Sequence, residues 1–225
     1  MSRTLTMRAL ARAPAKVILF GEHYVVYGAP GLVAAIEPYN EIEMEAVKTQ
    51  AVSAGFEYRS TIKENNVEVG LASLSFAPKG RAKIPAHPYA ALYRKLAGRL
   101  KPLQHLQIRA RVKYAWPLKG VGNSASLGAA IGAGLRKIAG EKKSAPSVLF
   151  DDAQTADNVA HGGRSSGIDA AAASYGGVLE FSKDFKNPAR PKILPLKLAS
   201  MHGVEFVLVN TYAADKERGD TSSLI

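Results

Sequence analysis

A lysine, four apolar residues and then a Glu-His pair make Lys16-Val17-Ile18-Leu19-Phe20-Gly21-Glu22-His23 a segment able to do polar chemistry. A buried strand running into Gly-Glu-His sets ionisable groups at a strand end, where rigid backbone can aim them at a ligand. Val25, Val26 and Tyr27 read as a resumed extended pattern before Gly28-Ala29-Pro30-Gly31 turns the chain. Taken alone, the segment also fits an edge hairpin with a solvated Glu-His tip.

A second group is Gly120-Val121-Gly122-Asn123-Ser124-Ala125-Ser126, followed by an Ala/Gly/Leu/Ile-rich stretch to about Ile138 that reads as a helix. Glycines let backbone approach a phosphate without Cβ interference, and a helix start offers unpaired N–H groups with positive dipole character. Ser124 and Ser126 can cap that helix, or a hydroxyl can reach a phosphate-bound metal. The loop is no Walker motif, because no Gly-Lys-Ser/Thr ends it, and it lacks the GxGxxG dinucleotide spacing.

A third group follows a helix-like stretch from Ser147 to Ala160 that carries Asp157 near its end. His161 comes next, Gly162-Gly163-Arg164-Ser165-Ser166-Gly167 must be loop, and Asp169 lies in the first turn of another Ala-rich helix. An acid there also suits the helix dipole, as does a histidine at a helix C-terminus.

These groups need a framework. From Leu106 to Trp116 every second residue is apolar, the signature of a half-buried strand, and Pro117 closes it. Glu41–Ala46 alternates cleanly and Val67–Phe76 loosely, so both are strand candidates, and Val204–Val209 is an apolar strand candidate. Tyr89–Leu100 reads as a helix with Pro88 in its first turn. Lys142–Pro146 reads as an inter-helix turn, and the Pro- and Lys-rich stretch Phe185–Pro195 as a connector and domain boundary.

Lys and Arg number 30 against 19 Asp and Glu, a net +11 that attracts polyanions. The basic residues are scattered, as along Lys137–Lys143 and Lys183–Lys197, and no nucleic-acid module is visible, so the excess reads as general anion attraction and solvated surface. No apolar run approaches the ~20 residues that cross a bilayer, and Met1–Arg12 lacks a secretory h-region. With no cysteine there is no disulfide framework, thiol nucleophile or thiolate metal site.

Taken in this order, the three groups resemble the motifs of the GHMP family of small-molecule kinases. Ala13 through His23 with Val25-Val26-Tyr27-Gly28 resembles the opening motif of the mevalonate-phosphorylating branch. Pro117 through Ser126 resembles the family's Pro-x-x-x-Gly-Leu-Gly-Ser-Ser-Ala phosphate loop, with Val121 and Asn123 in place of Leu and Ser. His161 to Asp169 with Tyr175-Gly176-Gly177 resembles its His-Gly-Asn-Pro-Ser-Gly-Ile-Asp…Gly-Gly motif, one residue longer and with Gly163-Arg164-Ser165 in place of Asn-Pro. The family's metal-binding Glu, four residues before that His, is here Asp157. Its third motif, a Gly-rich loop in the C-terminal domain, does not occur.

The resemblance implies an α+β fold with two-domain GHMP architecture: an N-terminal ATP-binding domain over residues 1–185, then a connector and the start of a C-terminal domain over 186–225. The C-terminal domain is expected to be incomplete in this chain, with the natural protein extending further. The implied activity is ATP-dependent phosphorylation of the primary hydroxyl of mevalonate to 5-phosphomevalonate, in isoprenoid biosynthesis. Asp169 and Lys16 are the implied catalytic pair, Gly120, Val121, Gly122, Asn123, Ser124, Ala125 and Ser126 the ATP loop, and Glu22 and His23 the acceptor contacts. Ser124 and Asp157 would hold Mg²⁺. A cytoplasmic enzyme is expected, with a small-molecule substrate, no nucleic acid or membrane partner, and a homodimer left open. Two alternatives stand beside it: a sister kinase for phosphomevalonate, a sugar or homoserine, and a homologue that binds ligand without turnover.

Overall fold

The structure, a computed structural model, describes residues 6–48, 56–60, 63–64, 67–68, 71–76, 87–113, 120–187, 190–197 and Val207. The expectations for Tyr114–Lys119 and, apart from Val207, for the strand at Val204–Val209 lie outside these residues.

The framework grows from two long strands. β1 (Thr6–Phe20) pairs antiparallel along nearly its whole length with β2 (Gly31–Lys48). The alternation noted at Glu41–Ala46 is the last part of β2, far longer than the pattern suggested, because its first half runs through Leu32, Val33, Ala34, Ala35 and Ile36, where no polar alternation marks it. On its other side β2 pairs with β7 (Leu106–Lys113) through its C-terminal half and with β8 (Val178–Ser182) through its N-terminal half.

β7 shows why the period-2 pattern succeeds. Ile42, Met44 and Ala46 of β2 face Val112, Ala110 and Ile108 in register, and all six are buried. On the opposite face Glu43 stands across from Arg111 and Glu45 across from Arg109, with Arg8 of β1 also 2.9 Å from Glu45. Opposite charges facing across a pair favour this register. Beyond β7 lie β6 (Leu71–Phe76) and β3 (Phe56–Ser60), with a separate two-stranded ribbon of β4 (Lys63–Glu64) and β5 (Val67–Glu68). The Val67–Phe76 pattern thus divides between β5 and β6.

Phe185–Pro195 is not wholly a connector. Lys192–Leu196 forms β9, which pairs with β8 at the edge of the seven-stranded sheet. Proline is tolerated there because, among the described residues, β9 pairs on one side only, leaving a row of N–H groups with no partner strand.

Among the described residues four α-helices form a layer over one face of the sheet, α2 and α4 directly against its strands. α1 (Pro88–Arg99) starts at His87, whose Nδ1 accepts from the Tyr89 amide. α2 (Asn123–Ile138) is buried nearly all round and packs on β1, β2 and the other helices, α1, α3 (Pro146–Ala160) and α4 (Ile168–Tyr175). An apolar helix without a polar face belongs in the centre of a helical layer. Its small residues let neighbours come close: a Cβ on Gly128 would lie 2.8 Å from that of Ala156 in α3. The result is the expected α+β architecture of a sheet with helices on one face. Among the described residues no helix is long and apolar enough to cross a membrane.

Candidate active site

The strand end, the glycine loop and the third group meet at the N-terminus of α2. Lys16, on β1, is buried, and its Nζ lies 3.1 Å from Asp169 Oδ1 in the first turn of α4. Its backbone amide donates to Val121 O at 3.0 Å, so β1 carries both the cation and the anchor of the glycine loop. Gly122 closes the arrangement from above. It has φ +74° and a Cβ there would fall 2.9 Å from Lys16 Cγ and 3.2 Å from Asp169 Oδ2. Only a residue without a side chain fits against the pair.

Burial pushes the Asp169 carboxyl above its ordinary range, the nearby Asp157 adding to this, while the Lys16 ammonium pulls the other way. A carboxylate raised in this manner is a stronger proton acceptor than one in water, and a neighbouring cation keeps it ionised.

Ser124 does not cap α2. The N-cap is Gly122 in the left-handed conformation, with no side-chain cap. Ser124 Oγ instead donates to Asp157 Oδ1 at 2.5 Å, because the last turn of α3 packs beside the first turn of α2 and brings a carboxylate within reach. Ser126 is buried and donates to Ala13 O at 3.0 Å. Asp157, only 2 % exposed, also accepts from Ser165 Oγ, and His161 Nδ1 lies 3.3 Å from Oδ1. Burial opposes its charge, but the hydrogen bonds from His161, Ser124 and Ser165 outweigh burial and hold the carboxyl below its usual value. The same contact raises His161 to about 9.

Glu22 and His23 are exposed just beyond β1, and neither side chain makes a hydrogen bond or ion pair with Lys16 or Asp169 among the described residues. Val25–Tyr27 is not extended: Tyr24–Tyr27 is a 3₁₀ turn. His23 takes φ +65° before it and Gly28 φ +90° after it, which curls the segment so that Val25 enters the core. The curl returns at Gly31, where a Cβ would meet Ile168, the residue before Asp169, at 2.9 Å. Gly21, just ahead of Glu22, packs against this turn: a Cβ on it would lie 2.9 Å from Gly31 Cα.

Asn40 escaped the sequence reading. Fully buried on β2, its Nδ2 donates to Asn123 Oδ1 and Ser126 Oγ, both at 3.0 Å, tying the loop to the sheet. The one local signal is an asparagine on the apolar-facing side of the Ile42–Ala46 alternation. The neighbouring acids of α3 are otherwise engaged: Asp152 is buried against Arg136, 2.7 Å from its Nε, and Asp151 meets Lys95 at 2.7 Å.

A buried lysine–aspartate pair against a glycine loop at a helix N-terminus is an arrangement for an anionic ligand and a proton. Residues 88–177 match the family model for the GHMP kinases N terminal domain. The curated proteins similar to the chain include mevalonate kinases. The chain is 29% identical to that of Pyrococcus furiosus over 187 residues, 79% of this chain and 52% of the relative. To that of Aeropyrum pernix it is 30% identical over 191 residues, 80% of this chain and 52% of the relative. The chain thus spans about half the length of the curated relatives it matches. The fold is similar to that of L. major mevalonate kinase in complex with R-mevalonate, with TM-score 0.59 and 23% identity, over 87% of this chain and 55% of that one.

Proposed function

We propose that the protein transfers the γ-phosphoryl group of ATP to the primary hydroxyl of mevalonate, giving 5-phosphomevalonate and ADP for isoprenoid synthesis in the cytoplasm. The observation that carries this reading is the buried Lys16–Asp169 pair, 3.1 Å apart, pressed against Gly122 of the phosphate loop. Similarity to curated mevalonate kinases supports the choice of acceptor.

Phosphoryl transfer asks mainly for alignment and charge neutralisation. Gly120 through Ser126 hold the phosphates at the N-terminus of α2, where amides and helix dipole oppose their charge. The acceptor hydroxyl gives its proton to Asp169 as its oxygen bonds the γ-phosphorus and the bond from that phosphorus to the β,γ-bridging oxygen breaks. Lys16 stabilises the charge on the transferring group and keeps Asp169 ionised beforehand. Glu22 and His23, exposed just beyond β1, contact the acceptor.

Ser124 and Asp157 fit the divalent cation that such a reaction uses. They offer hard oxygens 2.5 Å apart beside the phosphate loop, and the carboxyl is held in its charged form. Mg²⁺ takes few protein ligands and fills its octahedron with phosphate and water oxygens. When bound, it neutralises phosphate charge.

A coupled ADP-release screen of the full-length protein against mevalonate, phosphomevalonate, galactose and homoserine tests the proposal. Release with mevalonate, lost in Asp169→Asn, is expected. Release with another acceptor only, or with none, overturns it.

A further inference from the structure

The loop between α3 and α4 is one residue longer than the family pattern, and the structure brings that loop to the acid beside the phosphate loop. After the last turn of α3 the chain reverses through Gly162 and Gly163, with φ +59° and +88°, a conformation glycine adopts without strain. The reversal is closed by Gly163 N to Asn158 O at 2.7 Å and by Arg164 N to His161 O at 3.2 Å. It returns Ser165 over α3, where its amide donates to Asn158 Oδ1 at 3.4 Å and its hydroxyl donates to Asp157 Oδ2.

The two oxygens of Asp157 are thereby distinguished. Oδ1 faces Ser124 at the first turn of α2, on the phosphate-loop side, with His161 Nδ1 3.3 Å away, and Oδ2 is bound by Ser165. A carboxylate rotates easily about its last bond unless one oxygen is fixed. Removing a group that orients a metal ligand typically costs about 10- to 100-fold in metal affinity.

We propose that Ser165 is a positioning residue for the divalent cation: its hydroxyl fixes Asp157 Oδ2 so that Oδ1 and Ser124 Oγ present to the ion. An aspartate has a stem one methylene shorter than a glutamate, so its carboxylate sits closer to α3, within reach of the loop that returns over that helix. This rests on the reading of Asp157 and Ser124 as the cation's protein ligands.

The test is titration of Mn²⁺ into the full-length protein with ADP present, following free Mn²⁺ by electron paramagnetic resonance. Ser165→Ala should weaken Mn²⁺ binding by about tenfold, with metal-free ADP affinity unchanged and with Ser165→Thr close to wild type. Asn158→Ala removes the other tether of Ser165 and should leave Mn²⁺ affinity within about twofold. If Asn158→Ala weakens the ion as much as Ser165→Ala, loop position rather than the hydroxyl matters, and the proposal falls. Loss of Mn²⁺ binding in Asp157→Ala with none in Ser165→Ala overturns the role of Ser165 alone. Unchanged binding in both variants removes the cation reading of Asp157, and this role with it.

Discussion

Gly122→Ala and Gly120→Ala separate the two reasons a glycine can be required. Both residues have left-handed backbone, φ +74° and +88°. An alanine there costs about 1–2 kcal/mol in strain, reduced by about 0.4–1 kcal/mol because the unfolded chain also loses freedom. At Gly120 that is the whole effect, since no described residue lies within 4 Å of the added methyl. At Gly122 the methyl falls 2.9 Å from Lys16 Cγ and 3.2 Å from both Lys16 Cε and Asp169 Oδ2. The lysine stem has little room to swing, being held by its amide on Val121 O at 3.0 Å and its ammonium on Asp169 at 3.1 Å. Overpacking of this kind adds about 1–3 kcal/mol. Gly122→Ala should therefore lie about 3 kcal/mol below wild type at the midpoints of these ranges, a fall in Tm of roughly 6–12 °C for a chain of this size. Gly120→Ala should lose only about 1 kcal/mol or less by the same reckoning. Urea denaturation of both variants measures the difference, and ADP release reads the consequence for the displaced pair. Equal midpoints for the two variants, or a destabilised Gly122→Ala that retains full turnover, would refute the reasoning.

Asp169→Asn preserves volume and removes the charge, so kcat should fall by at least about 10²-fold with ATP affinity near normal; Lys16→Met should behave likewise in the same assay. Asp157→Ala should raise the Mg²⁺ concentration for half-maximal rate, with Asp157→Glu partly retained, as a magnesium titration of the rate will report. His161 is raised from 6.5 to about 9 by Asp157, so its contribution to stability is full below 6.5 and is lost as pH rises through about 9. Without magnesium, the Tm advantage of wild type over His161→Gln should be greatest below pH 6.5 and absent above about 9. Asp152→Ala leaves the Arg136 guanidinium buried without its closest partner and should cost about 3–5 kcal/mol in a urea titration; a loss below about 1 kcal/mol would show that Glu141 and water suffice.

What could be read in the chain was what local chemistry dictates. The alternation at Leu106–Val112 and Glu41–Ala46 named two strands because one face of each is buried and the other solvated. Pro88 marked a helix start because its fixed φ suits a first turn, and Pro146, read as the end of a turn, is the first residue of α3 for the same reason. The Ala/Gly/Leu/Ile-rich stretch to Ile138 read as a helix, and the structure has it as α2. Family motifs brought Lys16, the glycine loop and Asp169 onto one page, though 152 residues separate the lysine from the aspartate.

Tertiary packing decided the rest. The first half of β2 has no alternation to read, and its strand nature follows from pairing with β1 along its length. Val25–Tyr27 carries β-branched residues suited to a strand, yet His23 and Gly28 curl it and Val25 goes to the core, since burial outweighs local propensity. Ser124 had a cap to make and a carboxylate to meet. The approach of α3 to α2 chose the carboxylate. Asn40 acquired its partners only when β2 slid beneath the start of α2. Ser165 reached Asp157 only because two left-handed glycines turned the loop back over the helix it had left. Sequence spacing specifies which groups exist and which elements carry them, whereas contacts between residues far apart in the chain are set by how those elements pack.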